Sequence, residues 1–97
     1  MYAIRYIQAA LDDLKTFRKH EQQLILEGIL DQLSYEPTLE TRNRKPLRPN
    51  PTAAWELRLG AIRVLYNVDQ DIQIVEIQRV GEKHRNMIFF RGRKEDL

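Results

Sequence analysis

Arg58 and Arg63 stand either side of a glycine in the stretch WELRLGAIRVLY, residues 55 to 66. Apolar and polar residues alternate up to Leu59 and again from Ile62, so the two halves read as strands joined at Gly60 and Ala61. Glycine at the first central position of a two-residue loop fits a type II′ turn, and that fixes the register. Leu59 then opposes Ile62, Arg58 opposes Arg63, Leu57 opposes Val64, Glu56 opposes Leu65 and Trp55 opposes Tyr66. Like charges set directly across a strand pair destabilise it by roughly a few tenths of a kcal/mol. Two readings account for the cost. Either Glu56, diagonal to Arg63, neutralises the pair and the long stems spread over the surface, or two guanidinium forks converge on an anion such as phosphate.

Further cations flank the hairpin. Arg42, Arg44, Lys45 and Arg48 make the preceding loop basic and a candidate for phosphate contact. Lys83, His84 and Arg85 follow the third strand, where a turn can lean over the same face. His84 is the candidate there for proton transfer, histidine being the residue type suited to it near neutral pH, although a lone loop histidine is more often solvated surface than catalyst. His20 and His84 lie far apart and match no metal-ligand spacing, and the chain has no cysteine. No metal site and no cofactor are therefore expected.

The elements that must position these groups follow from periodicity. In MYAIRYI, Tyr2, Ile4 and Tyr6 alternate against their neighbours and predict a strand. QAALDDLKTFRK places Leu11, Leu14 and Phe17 three apart, as in a short amphipathic helix, and Asp12 and Asp13 are read as suiting the dipole at its start. HEQQLILEGILDQLSYEP repeats the pattern with Leu26, Ile29, Leu30 and Leu33 as its inward stripe, and Pro37 ends that helix near Ser34 or Tyr35. Residues 37 to 54 hold four prolines and break all periodicity, which marks a long loop. Three strands are predicted after it, Trp55–Leu59, Ile62–Val68 and Ile72–Val80, with a turn at residues 69 to 71 and a short apolar run from Met87 to Phe90. The tail, residues 91 to 97, has no core pattern and is expected to fray.

The fold class expected is α+β in two layers. A helical hairpin packs on one face of a mainly antiparallel sheet, in the order β-α-α-β-β-β with room for a short last strand. Trp55, Leu57, Leu59, Ile62, Val64, Tyr66 and Val68 share the face that receives the helices, where Trp55 and Tyr66 read as core. Glu56, Arg58, Arg63, Leu65 and Asn67 share the face left over for work.

Composition agrees with a single small domain over residues 1 to 97, at 42% hydrophobic and 31% charged. The net charge of +2 is uneven: residues 1 to 40 carry four bases against seven acids, and residues 41 to 97 carry twelve against seven. A basic second half suggests a face built for an anionic partner. The lack of cysteine suits a reducing compartment, no apolar run approaches the roughly 20 residues of a membrane span, and no signal-peptide core opens the chain. A cytoplasmic protein with no membrane partner is expected.

The chain as a whole resembles the RelE/ParE superfamily, the toxins of bacterial type II toxin–antitoxin modules. The resemblance runs through the N-terminal strand, the helical hairpin ending in a proline, RKPLRPN, WELRLGAIRVLYNV and IQRVGEKHRNMIFF, in that order. It implies a toxin neutralised by a cognate antitoxin. In the RelE-like branch it implies an endoribonuclease, independent of metal, that cuts mRNA on the translating ribosome and so inhibits translation. In the ParE-like branch it implies an inhibitor of DNA gyrase without nuclease activity, and a third possibility is a catalytically weak relative that mainly binds antitoxin or nucleic acid.

The family's hairpin arginine falls on Arg63, and one of two basic positions on the preceding strand falls on Arg58. The other falls on Glu56. The arginine after the VG element falls on Lys83, a further basic position on Arg85, and a late aromatic, often a proton-transferring tyrosine, on Phe89. Cleavage of RNA without a metal needs a base for the 2′-hydroxyl, cations for the phosphorane and an acid for the leaving oxygen. Arg58, Arg63, Lys83 and Arg85 are the candidate cations. Phe89 has no proton to give, which makes His84 the first titratable candidate and Glu56 the second.

Overall fold

The computed structural model describes residues 1–95, and among them two helices and seven strands form a two-layer α+β domain. Strand β1 (Ala3–Tyr6) leads into α1 (Gln8–Leu14) and α2 (Lys19–Leu33). The remaining strands are β2 (Arg44–Pro46), β3 (Trp55–Leu59), β4 (Ile62–Asp69), β5 (Ile74–His84), β6 (Met87–Phe90) and β7 (Arg93–Lys94). They run β2-β3-β4-β5-β6-β7 across the sheet in antiparallel pairs, and β1 joins β5 in parallel.

The β3–β4 hairpin has the register expected from its sequence, Arg58 opposite Arg63 included. Gly60 takes φ +62° and Ala61 stays out of the left-handed region, as a type II′ turn requires. Leu57, Val64 and Tyr66 are fully buried beneath the helices with Val75, Ile77 and Val80 of β5. Trp55 stacks on Tyr66 with ring centroids 6.2 Å apart, and the Tyr66 hydroxyl donates to the Pro37 carbonyl at 2.6 Å. Tyr66 belongs to the core, as expected, and the partly buried Trp55 packs against it.

Several expectations are corrected. The buried stripe of α2 is Ile25, Ile29 and Leu33, whereas Leu26 and Leu30 are exposed. A stripe at i, i+4 and i+8 and one at i, i+3, i+4 and i+7 both fit the helical period, and sequence alone does not choose between them. Gly28 lies where an added Cβ would stand 2.9 Å from a Leu59 methyl, so its cost to the helix is matched by close packing on β3. The long loop is not free of structure: β2 interrupts it and pairs with β3, Arg44 opposite Leu57 and Lys45 opposite Glu56.

Strand β5 starts at Ile74, after a turn that includes Gln73 at φ +55°, and continues through Gly81 to His84. Its length comes from partners on both edges. Strand β4 covers one edge, while β1 covers Ile74–Ile77 and β6 covers Glu82–His84 on the other. A bulge leaves Gln78 as the extra residue, because Leu65 pairs with Arg79 while Tyr66 pairs with Ile77.

The gap between β1 and β6 is filled by Asp13, which lies in the last turn of α1 and is fully buried. The dipole reading of Asp13 is thereby overturned. Its carboxylate accepts the Val80 N–H at 2.9 Å, where a neighbouring strand would otherwise offer a carbonyl. It also accepts from Arg79 at 2.8 and 3.2 Å and lies 3.0 Å from Nε of Arg91. Arg79 reaches on to Glu95 at 2.6 Å and covers the Phe90 ring at 4.4 Å. These contacts hold Arg91 and Glu95, either side of β7, against the sheet. The tail was expected to fray; its last two residues, 96 and 97, lie outside the described residues, but Arg93 and Lys94 pair with β6.

Candidate functional site

Strand register sorts the charged groups by face. Lys45 opposes Glu56, Arg58 opposes Arg63, and Arg63 opposes Gly81, two residues before Lys83. Partners across a ladder share a face and alternate residues return to it. Lys45, Glu56, Arg58, Arg63 and Lys83 therefore lie together on the face away from the helices.

That face is not wholly open. Leu65 is fully buried there under Ala53 and Phe90, with Leu47 and Ile88 packed at the margin. Asn50 shapes the segment that covers it. Its Oδ1 accepts the N–H groups of Thr52 and Ala53 at 2.8 and 3.0 Å, and its Nδ2 donates to the carbonyls of Arg48 and Ala53 at 2.9 Å each. The folded loop, the β5–β6 turn and β7 enclose a cleft of about 260 Å³ that includes Glu56, Arg48, Asn50, Asn86 and Lys94 in its lining.

Glu56 sits between the two opposed arginines. Its Oε1 is 3.2 Å from Nε of Arg58 and 3.9 Å from Nε of Arg63. Glu56 and Arg63 are each only 9% exposed. The Arg63 guanidinium is pinned against its own turn, Nη1 donating to the carbonyls of Gly60 at 2.6 Å and Ile62 at 3.0 Å. Its buried Nε has no hydrogen-bond partner. A buried guanidinium donor without an acceptor costs free energy, offset here by the nearby Glu56 carboxylate. Burial lowers the Arg63 pKa, Glu56 raises it, and Arg58 adds a smaller lowering. Of the two readings of the hairpin, the neutralising one is seen directly: Glu56 lies within ion-pair distance of both arginines.

The other candidates divide. Arg48 lines the cleft, Arg42 is exposed just before β2, and Arg85 is exposed in the β5–β6 turn at φ +58°. Arg44 points to the helix side, its Nη1 donating to the Gln32 carbonyl at 2.5 Å and its Nε to the Leu39 carbonyl at 3.0 Å. It supplies donors to the C-terminal end of α2, a structural task. His84 and Phe89 share the helix-side face with Glu82, where the two rings meet edge to face at 5.6 Å. The arginine pair and His84 are therefore on opposite faces of the sheet. Among the described residues no group of three or more His, Asp and Glu side chains is placed to hold a metal ion.

No family model and no curated protein sequence matches the chain. Solved structures do. The chain is 30% identical to a chain of the RelBE2 toxin–antitoxin complex of Mycobacterium tuberculosis, with a TM-score of 0.73 over 84% of this chain and 98% of that one. The chain belongs to the RelE toxin superfamily. The isolated RelE toxin of E. coli, at 20% identity and a TM-score of 0.68, and a chain of the archaeal RelE–RelB complex of Pyrococcus horikoshii, at 22% and 0.63, share the fold. They cover 89% and 87% of this chain.

In this RelE-superfamily toxin two parts of the site escape a reading by charge alone. Lys94 reaches the cleft from the segment expected to fray. Asp13 and Arg79 set the strand on which Lys83 lies, and neither was singled out for that task. A signal for Asp13 was present: Ala10, Asp13, Leu14 and Phe17 sit at i, i+3, i+4 and i+7, and an acid on an apolar stripe requires buried donors.

Proposed function

We propose that this toxin is an endoribonuclease that cuts mRNA bound to the ribosome and is restrained by a cognate antitoxin. The observation that carries the reading is the Glu56 carboxylate set between Arg58 and Arg63 on the sheet face away from the helices, beside a cleft rimmed by Arg48 and Lys94. The structural neighbours support it, since they are RelE toxins free or in complex with an antitoxin, and they do not favour the gyrase-directed alternative.

The chemistry follows from the residues on that face. Glu56 takes the proton of a 2′-hydroxyl, and the freed oxygen attacks the adjacent phosphorus. The bond from phosphorus to the 5′-oxygen breaks, leaving a 2′,3′-cyclic phosphate on one product and a 5′-hydroxyl on the other. Arg63 and Arg58 stabilise the charge that develops on the phosphorane. Lys83, on the same face, is the N–H donor that returns a proton to the leaving oxygen. His84 has no part in this scheme, because the sheet separates it from Arg63. Lys45, Arg48, Arg42 and Arg85 contact phosphates on either side of the reacting one.

Translating ribosomes programmed with a defined mRNA provide the test. Wild-type protein should generate products with 2′,3′-cyclic ends, and Arg63→Ala and Glu56→Gln should each reduce the rate by 100-fold or more, on the order of one lost transition-state contact. Uncut mRNA with wild-type protein, at concentrations that arrest growth, would refute the reading.

A further inference from the structure

Helix α2 presents more apolar surface to solvent than its packing on the sheet requires. Its inward stripe is Ile25, Ile29 and Leu33, yet Leu24, Leu26 and Leu30 remain 54%, 38% and 55% exposed. Residues four apart on a helix are neighbours, so Leu26 and Leu30 form one apolar row. Glu27 and Asp31, each one position on, are exposed as well and form an acidic row beside it. Glu27 is also three residues from both Leu24 and Leu30, and so stands between them. This surface belongs to the helix layer, on the other side of the sheet from Arg58 and Arg63.

The charge pattern says what such a surface can receive. Between His20 and Thr41 the chain carries Glu21, Glu27, Asp31, Glu36 and Glu40 and no lysine or arginine. Glu27 accepts from the Gln23 amide at 3.3 Å, and among the described residues neither Glu27 nor Asp31 makes an ion pair. A second copy of the chain would set these carboxylates against their own kind, since a twofold contact repeats one patch on itself. A nucleic acid strand is repelled by them. A helix that carries an apolar row flanked by lysine or arginine matches both rows at once.

We infer that the outer face of α2 is a docking surface for a basic amphipathic helix of a partner protein. Apolar side chains of that helix cover Leu26 and Leu30, and its cations meet Glu27 and Asp31. Single leucines scattered on a surface are ordinary, whereas an apolar row beside a row of one charge fixes the sign of what must cover it. The sheet separates this face from the arginine pair, so a helix seated here leaves the arginines open. The surface therefore holds the toxin to another protein while RNA is engaged, a task separate from restraint by an antitoxin. It does not depend on the cleavage reading.

The test uses the full chain and two labelled synthetic amphipathic helices with leucine at the core positions, one carrying lysine at the flanking positions and the other glutamate. In fluorescence anisotropy the lysine helix should bind about tenfold or more tighter than the glutamate helix, and tighter than a scrambled peptide of its own composition. In amide NMR spectra it should move Leu26, Glu27, Leu30 and Asp31 and leave Arg58 and Arg63 in place. Leu26→Ser combined with Leu30→Ser should weaken binding about tenfold, as expected when two leucines lose part of their cover. Glu27→Lys combined with Asp31→Lys should reverse the preference in favour of the glutamate helix. All four positions are exposed, so the fold is kept. Arg63→Ala should bind the lysine helix as wild type does, whatever its effect on cleavage. Equal binding of the two helices, unchanged binding in the leucine double variant, or shifts at Arg58 and Arg63 in place of α2 would overturn the docking surface. Self-association that Leu30→Ser abolishes would give the face to a second copy and overturn it equally.

Discussion

Asp13→Ala probes the device that holds the site's supporting strands together. The Asp13 carboxylate is fully buried and serves the Val80 N–H, two Arg79 donors and Arg91. Alanine leaves the Val80 amide without its acceptor and Arg79 beside an empty space. Removing one side of a buried pair costs about 3–5 kcal/mol. Arg79 keeps Glu95 at 2.6 Å and the face of Phe90, so the lower end applies, about 3 kcal/mol. For a chain of this size each kcal/mol moves the melting temperature by about 4–8 °C, which predicts a fall of about 12–24 °C. The neighbouring Asp12→Ala is the control. Asp12 is partly exposed, accepts from Gln8 at 2.9 Å and lies 3.9 Å from Lys15, and its loss should stay within about 0.5 kcal/mol. Thermal melts and urea titrations read both variants, and the midpoint should fall in Asp13→Ala with little change in slope. A melting temperature within about 4 °C of wild type, or equal effects from the two substitutions, would refute the assignment.

Three more outcomes follow from the same geometry. Glu56→Gln should bind a short RNA about tenfold more tightly than wild type at low salt, because the resident anion between the arginines is gone; unchanged affinity in a fluorescence anisotropy titration would remove Glu56 from the anion site. Gly81→Ala should cost about 1–3 kcal/mol in urea denaturation, since its Cβ would meet the Phe89 carbonyl oxygen and the Phe90 ring, each at 2.7 Å. Gly28→Ala should cost far less, because the atoms it meets are movable Leu59 methyls. Burial raises the Tyr6 pKa from 10.0 to about 12 and raises that of Tyr66 as well. The unfolded chain then loses these protons first, so stability that is complete below about pH 10 should drain as pH rises toward 12. Melting temperatures across that range should show a flatter alkaline limb in Tyr66→Phe, and an identical limb would contradict the burial account.

The hairpin was legible because three local rules agree there: alternation, a glycine that takes φ +62°, and a turn length that fixes register. Its two faces, the paired arginines and the neutralising carboxylate all follow from those rules. What stayed hidden depends on contacts distant in sequence. The bulge at Gln78 and the parallel pairing of β1 with β5 have no local signature. The inward stripe of α2 shifts from Leu26 and Leu30 to Ile25 because the sheet, not the helix, selects the face. The separation of His84 from Arg63 rests on the continuation of β5 past Gly81, and proximity in sequence had suggested the opposite. Asp13 and the segment it retains are two ends of one network some 66 residues apart, from Asp13 to Arg79.

The central claim is that Glu56 and Arg63 act together on an RNA phosphate. Its most direct measurement is the single-turnover cleavage rate of ribosome-bound mRNA by wild type, Glu56→Gln, Arg63→Ala and the double variant. The account predicts losses of about 100-fold or more for each single change, a double variant little worse than either, and tighter RNA binding by Glu56→Gln in spite of its lost activity. Cleavage by Glu56→Gln at the wild-type rate, with Arg63→Ala inactive, would show that the carboxylate is only a counter-ion and contradict its role as the base.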